Sequence, residues 1–430
     1  MQMRPRVELI TFGDELLMGL RNNGHLQYLG AELSRRDLPI FRNTVISDDY
    51  QTIANHLNEY WHCSDILITT GGLGPTSDDN TREAIAEAIG LPLEFDERAY
   101  QNIEKLFEPR GLEIGDRQKK QCFKPRGADI LHNRFGTAPG IYLKNGDKRL
   151  IMLPGPGHEL KTMFEQEVLP RLAQEGFINS DQTFLQLRTL GIPEGEIESY
   201  LEPVLHQYPQ IQTAYCATQG LVDIRLHTND TAIKWPSLKK IGRECAEALG
   251  ENFICFGHCS LARYVIDQMR SMEKTIATAE SCTGGLLSSA FTDVQGASKT
   301  FTGGAVCYCN DAKVQILDMP ECILQQHGAV SSETAVAMAT GAAERYSSDY
   351  GLSITGYAGP DGGTPDNPIG TIYIGYHSPI GAWAHKMVLP GDRLSIKARA
   401  VNTALDLMRR KICKYKLAEF LCCEDMPSSA

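Results

Sequence analysis

Short apolar runs, separated by segments whose apolar residues recur three and four apart, occupy most of the chain and predict a rhythm of strand and helix. Val7 to Phe12, Ile40 to Val45 and Asp65 to Thr70 read as strands, with helical spacing at Leu26, Leu29 and Leu33 and again from Ile53 and Leu57 through Trp61. Asp65 to Thr70 is apolar on both faces, which predicts a parallel sheet covered on both sides. The plan returns at Arg149 to Leu153, with a turn over Pro154 to Gly157 and a helix from His158 to about Val168. Pro170 and the polar stretch from Gln174 to Gln182 predict a boundary. A smaller α+β module follows, with strands at Thr183 to Thr189 and Val222 to Thr228 and helices at Glu194 to Leu201 and Pro236 to Leu249. Beyond it come a helix from Ser260 to Met272, a strand from Thr275 to Ala279, a helix over Leu286 to Phe291 and a strand from Gly304 to Cys309. A small-residue helix from Ser332 to Tyr346 and strands at Ser353 to Gly356 and Thr371 to Tyr376 complete a second three-layer α/β domain.

Composition narrows the function classes. A chain of 430 residues predicts two or three domains. Lys plus Arg number 42 against 53 Asp plus Glu, a net charge of −11 that argues against a general nucleic-acid-binding surface. The middle module has no Gly-x-x-Gly loop in a basic setting, so RNA binding is not expected there. No apolar run approaches membrane-spanning length and Val7 to Phe12 is too short for a signal core, so a cytoplasmic location is expected. Thirteen cysteines with no Cys-x-x-Cys pair read as reduced thiols, and no metal role is expected for Cys255, His258 and Cys259.

Candidate chemistry is densest at Thr278-Ala279-Glu280-Ser281-Cys282-Thr283-Gly284-Gly285. Here a serine sits on a strand-to-helix turn, and two glycines let backbone NH groups approach a ligand. The same residues would equally make an ordinary helix cap. Downstream, Asn310 reads as an N-cap and Lys313 as a first-turn lysine, where the helix dipole and burial would both disfavour its charge; an exposed lysine would feel little of this. Ser281, Tyr308 and Lys313 are the parts of a serine amidohydrolase without a catalytic histidine. Gly356 to Pro365 is a loop that could wrap a phosphate or ribose, or be a plain turn-rich connection. Arg393 suits a phosphate, unless it pairs with Asp392.

In the first half, Gly71-Gly72-Leu73-Gly74-Pro75-Thr76-Ser77-Asp78-Asp79-Asn80-Thr81 joins a strand to a helix, which is where open parallel sheets bind phosphorylated ligands. Asp78 and Asp79 add oxygens suited to a divalent cation, or else a cap and a solvated neighbour.

These motifs together resemble the CinA family. Ala279 to Gly285, the Gly-Gly-x-Val-x-Tyr-x-Asn-x-x-Lys-like stretch at 303 to 313, His327-Gly328-Ala329-Val330-Ser331, Ala358 to Thr364 and Gly391-Asp392-Arg393 are similar to its C-terminal domain. The resemblance implies a nicotinamide mononucleotide deamidase that releases ammonia and needs no cofactor. Ser281 would be the nucleophile, Lys313 the base relayed through Tyr308, and NH groups near Thr283 and Gly284 the oxyanion donors. The substrate is expected on Cys282, Thr283, Gly284, Asn310, Thr355, Gly359, Gly362, Gly363 and Arg393. Gly13 to Leu17, the Gly71 to Thr81 loop and Gly136 to Gly140 are similar to the molybdopterin-binding fold at the N-terminus of the family. That half implies an ADP-ribose pyrophosphatase with a nucleotide site at Asp14, Glu15, Gly71, Gly72, Gly74 and Thr76 and a divalent metal, Mg or Co, at Asp78 and Asp79. Two stretches depart from the family pattern: Asn23-Gly24-His25 stands for Asp-Thr-Asn, and Pro154 to Glu159 for Pro-Gly-Val-Pro-Ser-Glu. The expected domains are 1–172, a KH-type module at 173–257, the deamidase-type domain at 258–420 and a tail at 421–430. A homodimer is expected, acting on pyridine nucleotide and ADP-ribose without nucleic acid or membrane. The competing expectations are a non-catalytic nucleotide-binding regulator and a pyrophosphatase alone.

Overall fold

Alternate residues of a strand face opposite sides of its sheet, and in the first half of the chain both sides are filled. On β1 (Val7–Phe12), Val7 and Leu9 enter one core while Ile10 and Phe12 enter another. On β3 (Ile66–Thr70), Ile66 and Ile68 join the first core and Leu67 the second. β2 (Ile40–Ile46) is the edge strand. A small antiparallel pair, β4 (Leu93–Phe95) and β5 (Phe123–Pro125), stands apart. β6 (Asp129–Leu131), β7 (Gly140–Asn145) and β8 (Lys148–Leu153) complete a six-stranded sheet ordered β2-β1-β3-β8-β7-β6, parallel over its first four strands. The result is the expected three-layer α/β arrangement.

The computed structural model describes residues 5–178, 184–228, 230, 232–257 and 259–412, so His258 and the tail expected at 421–430 lie outside the described residues. Two compact units divide the chain, Met1–Thr183 and Phe184–Ala430. Pro170 ends no helix. The segment Gly157–Met163 runs through a π turn, Phe164–Val168, into Leu169–Gln174, and Pro170 falls in the first turn of that last piece, where a missing NH costs least.

The second unit holds two sheets. β9 (Phe184–Leu190), β10 (Gln212–Thr218), β11 (Leu221–His227) and β12 (Phe253–Phe256) form an antiparallel sheet ordered β10-β11-β9-β12. Helices Glu194–Leu205 and Trp235–Leu249 supply Ile197, Leu201, Ile241 and Leu249 to its core beside Leu185, Leu187 and Ile224.

The other sheet carries β13 (Ile276–Glu280), β14 (Phe301–Val306), β15 (Tyr350–Gly356), β16 (Thr371–Ser378) and β17 (Gly381–Val388), ordered β14-β13-β15-β16-β17. β14 ends at Val306 rather than Cys309, and Cys309, not Asn310, caps the helix Asn310–Leu317. Ile276, Leu352, Ile354, Ile372 and Ile374 face a large aliphatic core. On the opposite face the helix Ser332–Arg345 lies close against two glycines: a Cβ on Gly351 would stand 1.9 Å from the Ala339 carbonyl oxygen, and one on Gly375 2.0 Å from that of Ala335. Gly375→Ala is therefore expected to lower stability by about 1–3 kcal/mol. Urea denaturation of the purified chain checks this, and an unchanged midpoint would show that the helix does not seat on Gly375.

Candidate active site

Strand ends build the site in the second unit. The β13–β15 ladder continues one residue past β13, where Ser281 N donates to Ile354 O at 2.9 Å. On the other side Cys307 N donates to Glu280 O at 2.7 Å, so the chain leaves β14 beside the serine. The helix Asn310–Leu317 then returns Lys313, 1% exposed, to the same point. Its Nζ donates to Cys307 O at 3.0 Å and to Tyr308 O at 3.4 Å, and lies 3.3 Å from Ser281 Oγ. Burial pushes the Lys313 amine below the usual lysine range. Among the described residues no carboxylate pairs with it.

The turn after Ser281 differs from the expected anion site. Glu280 is fully buried, and its carboxylate accepts from Gly285 N (2.9 Å), Leu287 N (3.0 Å), Ser288 N (2.8 Å) and Ser288 Oγ (2.6 Å). A residue of the protein thus occupies the start of the helix Leu286–Thr292. Gly284 N is also committed, to Ser281 O at 3.2 Å. The amides of Cys282 and Thr283 are left without an acceptor among the described residues, so they replace Gly284 as the available donors.

A cavity of about 280 Å³ opens over these groups. Of the expected residues it is lined by Ser281, Cys282, Tyr308, Lys313, Thr355, Gly359 and Arg393. Thr283, Gly284, Asn310, Gly362 and Gly363 do not line it. Ala329, Val330, Tyr357, Ala358 and Asp361 do. The loop from 356 to 365 was visible as a glycine-rich stretch, but only the fold says which of its residues turn inward. Thr355 Oγ1 donates to Ala329 O at 2.7 Å and so ties β15 to the 327–331 turn. Tyr308 is placed differently from the expected relay. Its side chain is 63% exposed at the mouth, and its phenol oxygen accepts from Arg393 Nη2 at 3.0 Å. Lys313 meets the carbonyl of Tyr308, and it reaches Ser281 directly. Arg393 also donates to Gly359 O at 2.5 Å, while Asp392 caps the following helix by accepting from Ser395 N at 2.8 Å.

In the first unit a cavity of about 990 Å³ lies at the carboxyl ends of the parallel strands. Glu15, Gly71 and Gly72 line it as expected; Asp14, Gly74, Thr76, Asp78 and Asp79 do not. Asp79 is spent inside its own loop, where its carboxylate accepts from Thr76 N at 2.9 Å and from the Thr76 hydroxyl. No group of three or more His, Cys, Asp or Glu positioned for a metal occurs among the described residues. Asp79 is thus engaged within its own loop, and neither Asp78 nor Asp79 lines the cavity. Residues missed in the sequence include Arg21, Asp48 and Lys161. His25, part of a stretch that departs from the family pattern, bridges two strand ends: Nε2 donates to Gly155 O at 2.8 Å and Nδ1 stands 3.0 Å from Thr70 Oγ1. Burial holds the His25 imidazole below its ordinary pKa. Asp48 is pushed up by burial and then by Asp14, Asp78 and Glu15.

Two successive α/β units, each with a cavity at its strand ends, define the class: a molybdopterin-binding-type domain ahead of a domain built on a buried serine and lysine. Residues 8–174 match the family described as probable molybdopterin binding domain, and residues 258–412 match the CinA C-terminal domain. The chain belongs to the CinA family. A CinA-like protein of Dictyoglomus thermophilum is 37% identical over 411 residues, covering 94% of this chain and 98% of the relative. One from Kosmotoga olearia is 37% identical over 409 residues, covering 95% and 99%. Among solved structures, the competence/damage inducible protein CihA from Agrobacterium tumefaciens is 36% identical, covering 35% of this chain and 92% of that chain with a TM-score of 0.34.

Removing the Glu280 carboxylate would strand three backbone donors, one of them, Leu287 N, buried. Glu280→Ala is expected to lower stability by about 1–3 kcal/mol or more, with Glu280→Gln in between. Thermal unfolding of the two variants against the parent checks this, and equal midpoints would mean that the turn holds itself.

Proposed function

We propose that the second unit is an amidohydrolase acting on nicotinamide mononucleotide, with Ser281 as nucleophile and Lys313 as its general base. The observation that carries this reading is the set of partners around Lys313. A neutral amine has two N–H donors and one lone pair. Two carbonyl oxygens, those of Cys307 and Tyr308, accept the donors, and the lone pair is left for the hydroxyl of Ser281 at 3.3 Å. Burial, which lowers the pKa of Lys313, favours that neutral form.

The reaction follows from these positions. As Ser281 Oγ bonds to the carboxamide carbon, its proton passes directly to Lys313 Nζ. Charge developing on the amide oxygen meets the amide of Cys282, which lines the cavity beside Ser281, and such a donor contributes roughly 3–4 kcal/mol in comparable sites. Lys313 then gives the proton to the departing nitrogen, ammonia leaves, and water releases nicotinate mononucleotide by the same steps in reverse. At the mouth, Arg393 suits the phosphate, with Tyr308 and Gly359 O fixing the plane of its guanidinium. Asp361 gives the lining a carboxylate that complements the positive pyridinium ring. This half calls for no metal.

For the first unit, a cavity of about 990 Å³ bounded by Gly71, Gly72, Gly155 and Gly157 supports a nucleotide-sized ligand such as ADP-ribose. Asp78 and Asp79 give no support for a metal-dependent cleavage there. We further propose that the protein is cytoplasmic and works as a homodimer on these small molecules.

Ammonia release from nicotinamide mononucleotide tests the reading. Ser281→Ala is expected to abolish it, and a parental rate would remove Ser281 from its role. Lys313→Arg keeps a cation at every accessible pH and is expected to be as inactive as Lys313→Met. In the parent enzyme, protonating Lys313 removes the base, so kcat/KM should fall as pH drops through the depressed amine pKa and level off above it. A limb at the usual lysine pKa of about 10.4 would contradict the burial argument.

A further inference from the structure

The loop from Gly71 to Thr81 supplies Gly71 and Gly72 to the wall of the first unit's cavity and is gripped by a segment later in the chain. There the short helix Asp116–Lys120 ends and Gln121 leads toward β5. Lys120 Nζ donates to Asp79 O at 2.6 Å and to Asn80 Oδ1 at 2.9 Å. Asn80 passes the tie on, since its Nδ2 donates to Ser77 O at 2.9 Å. Gln121, fully buried, donates from Nε2 to Leu73 O at 3.4 Å. In return Arg82, buried in the first turn of the helix Thr81–Ala88, donates from Nη1 to Lys120 O at 2.6 Å. Both ends of the loop are thus tied to residues 120 and 121.

These ties hold a shape with donors to spare. Gly71 and Gly72 stand at φ 102° and 66°, in the left-handed region that favours glycine, and a Cβ on Gly72 would meet Thr81 Oγ1 at 1.9 Å. Asp79 closes the loop from within by accepting from Thr76 N at 2.9 Å, and a Cβ on Gly74 would lie 2.5 Å from its Oδ2. The amides of Gly72, Leu73 and Gly74 have no backbone acceptor among the described residues, so closure leaves a run of donors at the end of the loop that borders the cavity. Lys120 is half-buried, and an ammonium presents three N–H donors, of which two are taken by loop oxygens. It also brings a positive charge to a turn that carries Asp78 and Asp79 in succession.

We propose that Lys120 is a positioning residue of the first unit's ligand site: its ammonium, bound to Asp79 O and Asn80 Oδ1, keeps the loop closed so that the amides of Gly72 to Gly74 receive the phosphates of a nucleoside diphosphate. This rests on the reading of the cavity as a site for a nucleotide-sized ligand. Lys120 does not line the cavity and acts through the loop. Its hold is a pair of charge-assisted hydrogen bonds, so a neutral group of the same length is not equivalent. Without the ammonium, Asp79 O and Asn80 Oδ1 turn to water, the loop opens locally, and the three amides lose their common direction.

Lys120→Ala in the full chain tests this, because it removes the amine and keeps the carbonyl that Arg82 uses. Measured without nucleotide, the amides of Thr76, Asp79 and Asn80, which are hydrogen-bonded inside the loop, should exchange with solvent deuterium about tenfold faster or more than in the parent, with β1 and β3 unchanged. Propylammonium, which replaces the excised atoms, should slow them again, and 1-propanol, its neutral counterpart, should not. Calorimetric titration with ADP-ribose should follow the same order, with binding about tenfold weaker or more in the variant and regained with propylammonium alone. The proposal is overturned if the loop amides of the variant exchange at the parental rate, if the faster exchange spreads to β1 and β3, if the two additives act alike, or if the variant binds ADP-ribose as tightly as a parent that binds it. A parent that binds no ADP-ribose overturns the nucleotide reading instead, and the exchange rates then decide on the Lys120 clamp.

Discussion

Everything in the second unit turns on the burial of an amine with no anion to answer it. A lysine ammonium withdrawn from water loses solvation that only a close carboxylate could replace, and the described residues place none beside Lys313. Its partners are instead two carbonyl oxygens and one hydroxyl. Burial favours the neutral amine, and on the proposed reading the same loss of a proton would relieve the desolvation and supply the base. The strand ends make the placement exact enough to matter. Ser281 N is pinned to Ile354 O and Cys307 N to Glu280 O, so serine and carbonyl are fixed before any side chain is considered.

A second constraint follows from the sheet that holds those ends. The helix Ser332–Arg345 crosses close to β15 and β16 only because Gly351 and Gly375 carry no side chain. Its approach leaves Ser353 Oγ donating to Ala335 O at 2.5 Å, and Thr355 Oγ1 ties the next residue pair of the strand to Ala329. The turn at 327–331 is thereby drawn against the cavity, where Ala329 and Val330 form part of its wall. Packing on one face of the strand thus shapes the pocket at its end.

Much of this was legible in the sequence because it depends on order along the chain. Strand and helix rhythm gave the three-layer units, and the strand-to-helix turns placed Ser281, Lys313 and the glycines at 71 and 72 near ligand cavities. What stayed hidden depends on where side chains point. Tyr308 precedes Lys313 by five residues, and spacing alone could not say that its phenol would turn outward to Arg393 while its carbonyl turned inward to Lys313. Asp79 looked like a metal ligand until the loop folded it onto Thr76. Pro170 and the polar stretch from Gln174 to Gln182 marked a boundary; the first unit ends at Thr183, beyond that stretch, while a π turn carries the helix on through Pro170. His25 could have been suspected, since it stands within a stretch that departs from the family pattern, but its bridge between Thr70 and Gly155 needs two strand ends that are far apart in sequence.

On the proposed reading, the Glu280 carboxylate also bears on which feature of the turn would meet a developing oxyanion. Had the start of the helix Leu286–Thr292 been open, the substrate would have met a helix terminus and its dipole. With Glu280 accepting from Gly285, Leu287 and Ser288, those donors are already taken. On the proposed reading a developing oxyanion would therefore meet donors upstream of the helix, such as the amide of Cys282 next to Ser281, which has no backbone acceptor among the described residues. The buried carboxylate organises the loop, and on the proposed reading the oxyanion would be met beside Ser281 rather than at the start of the helix.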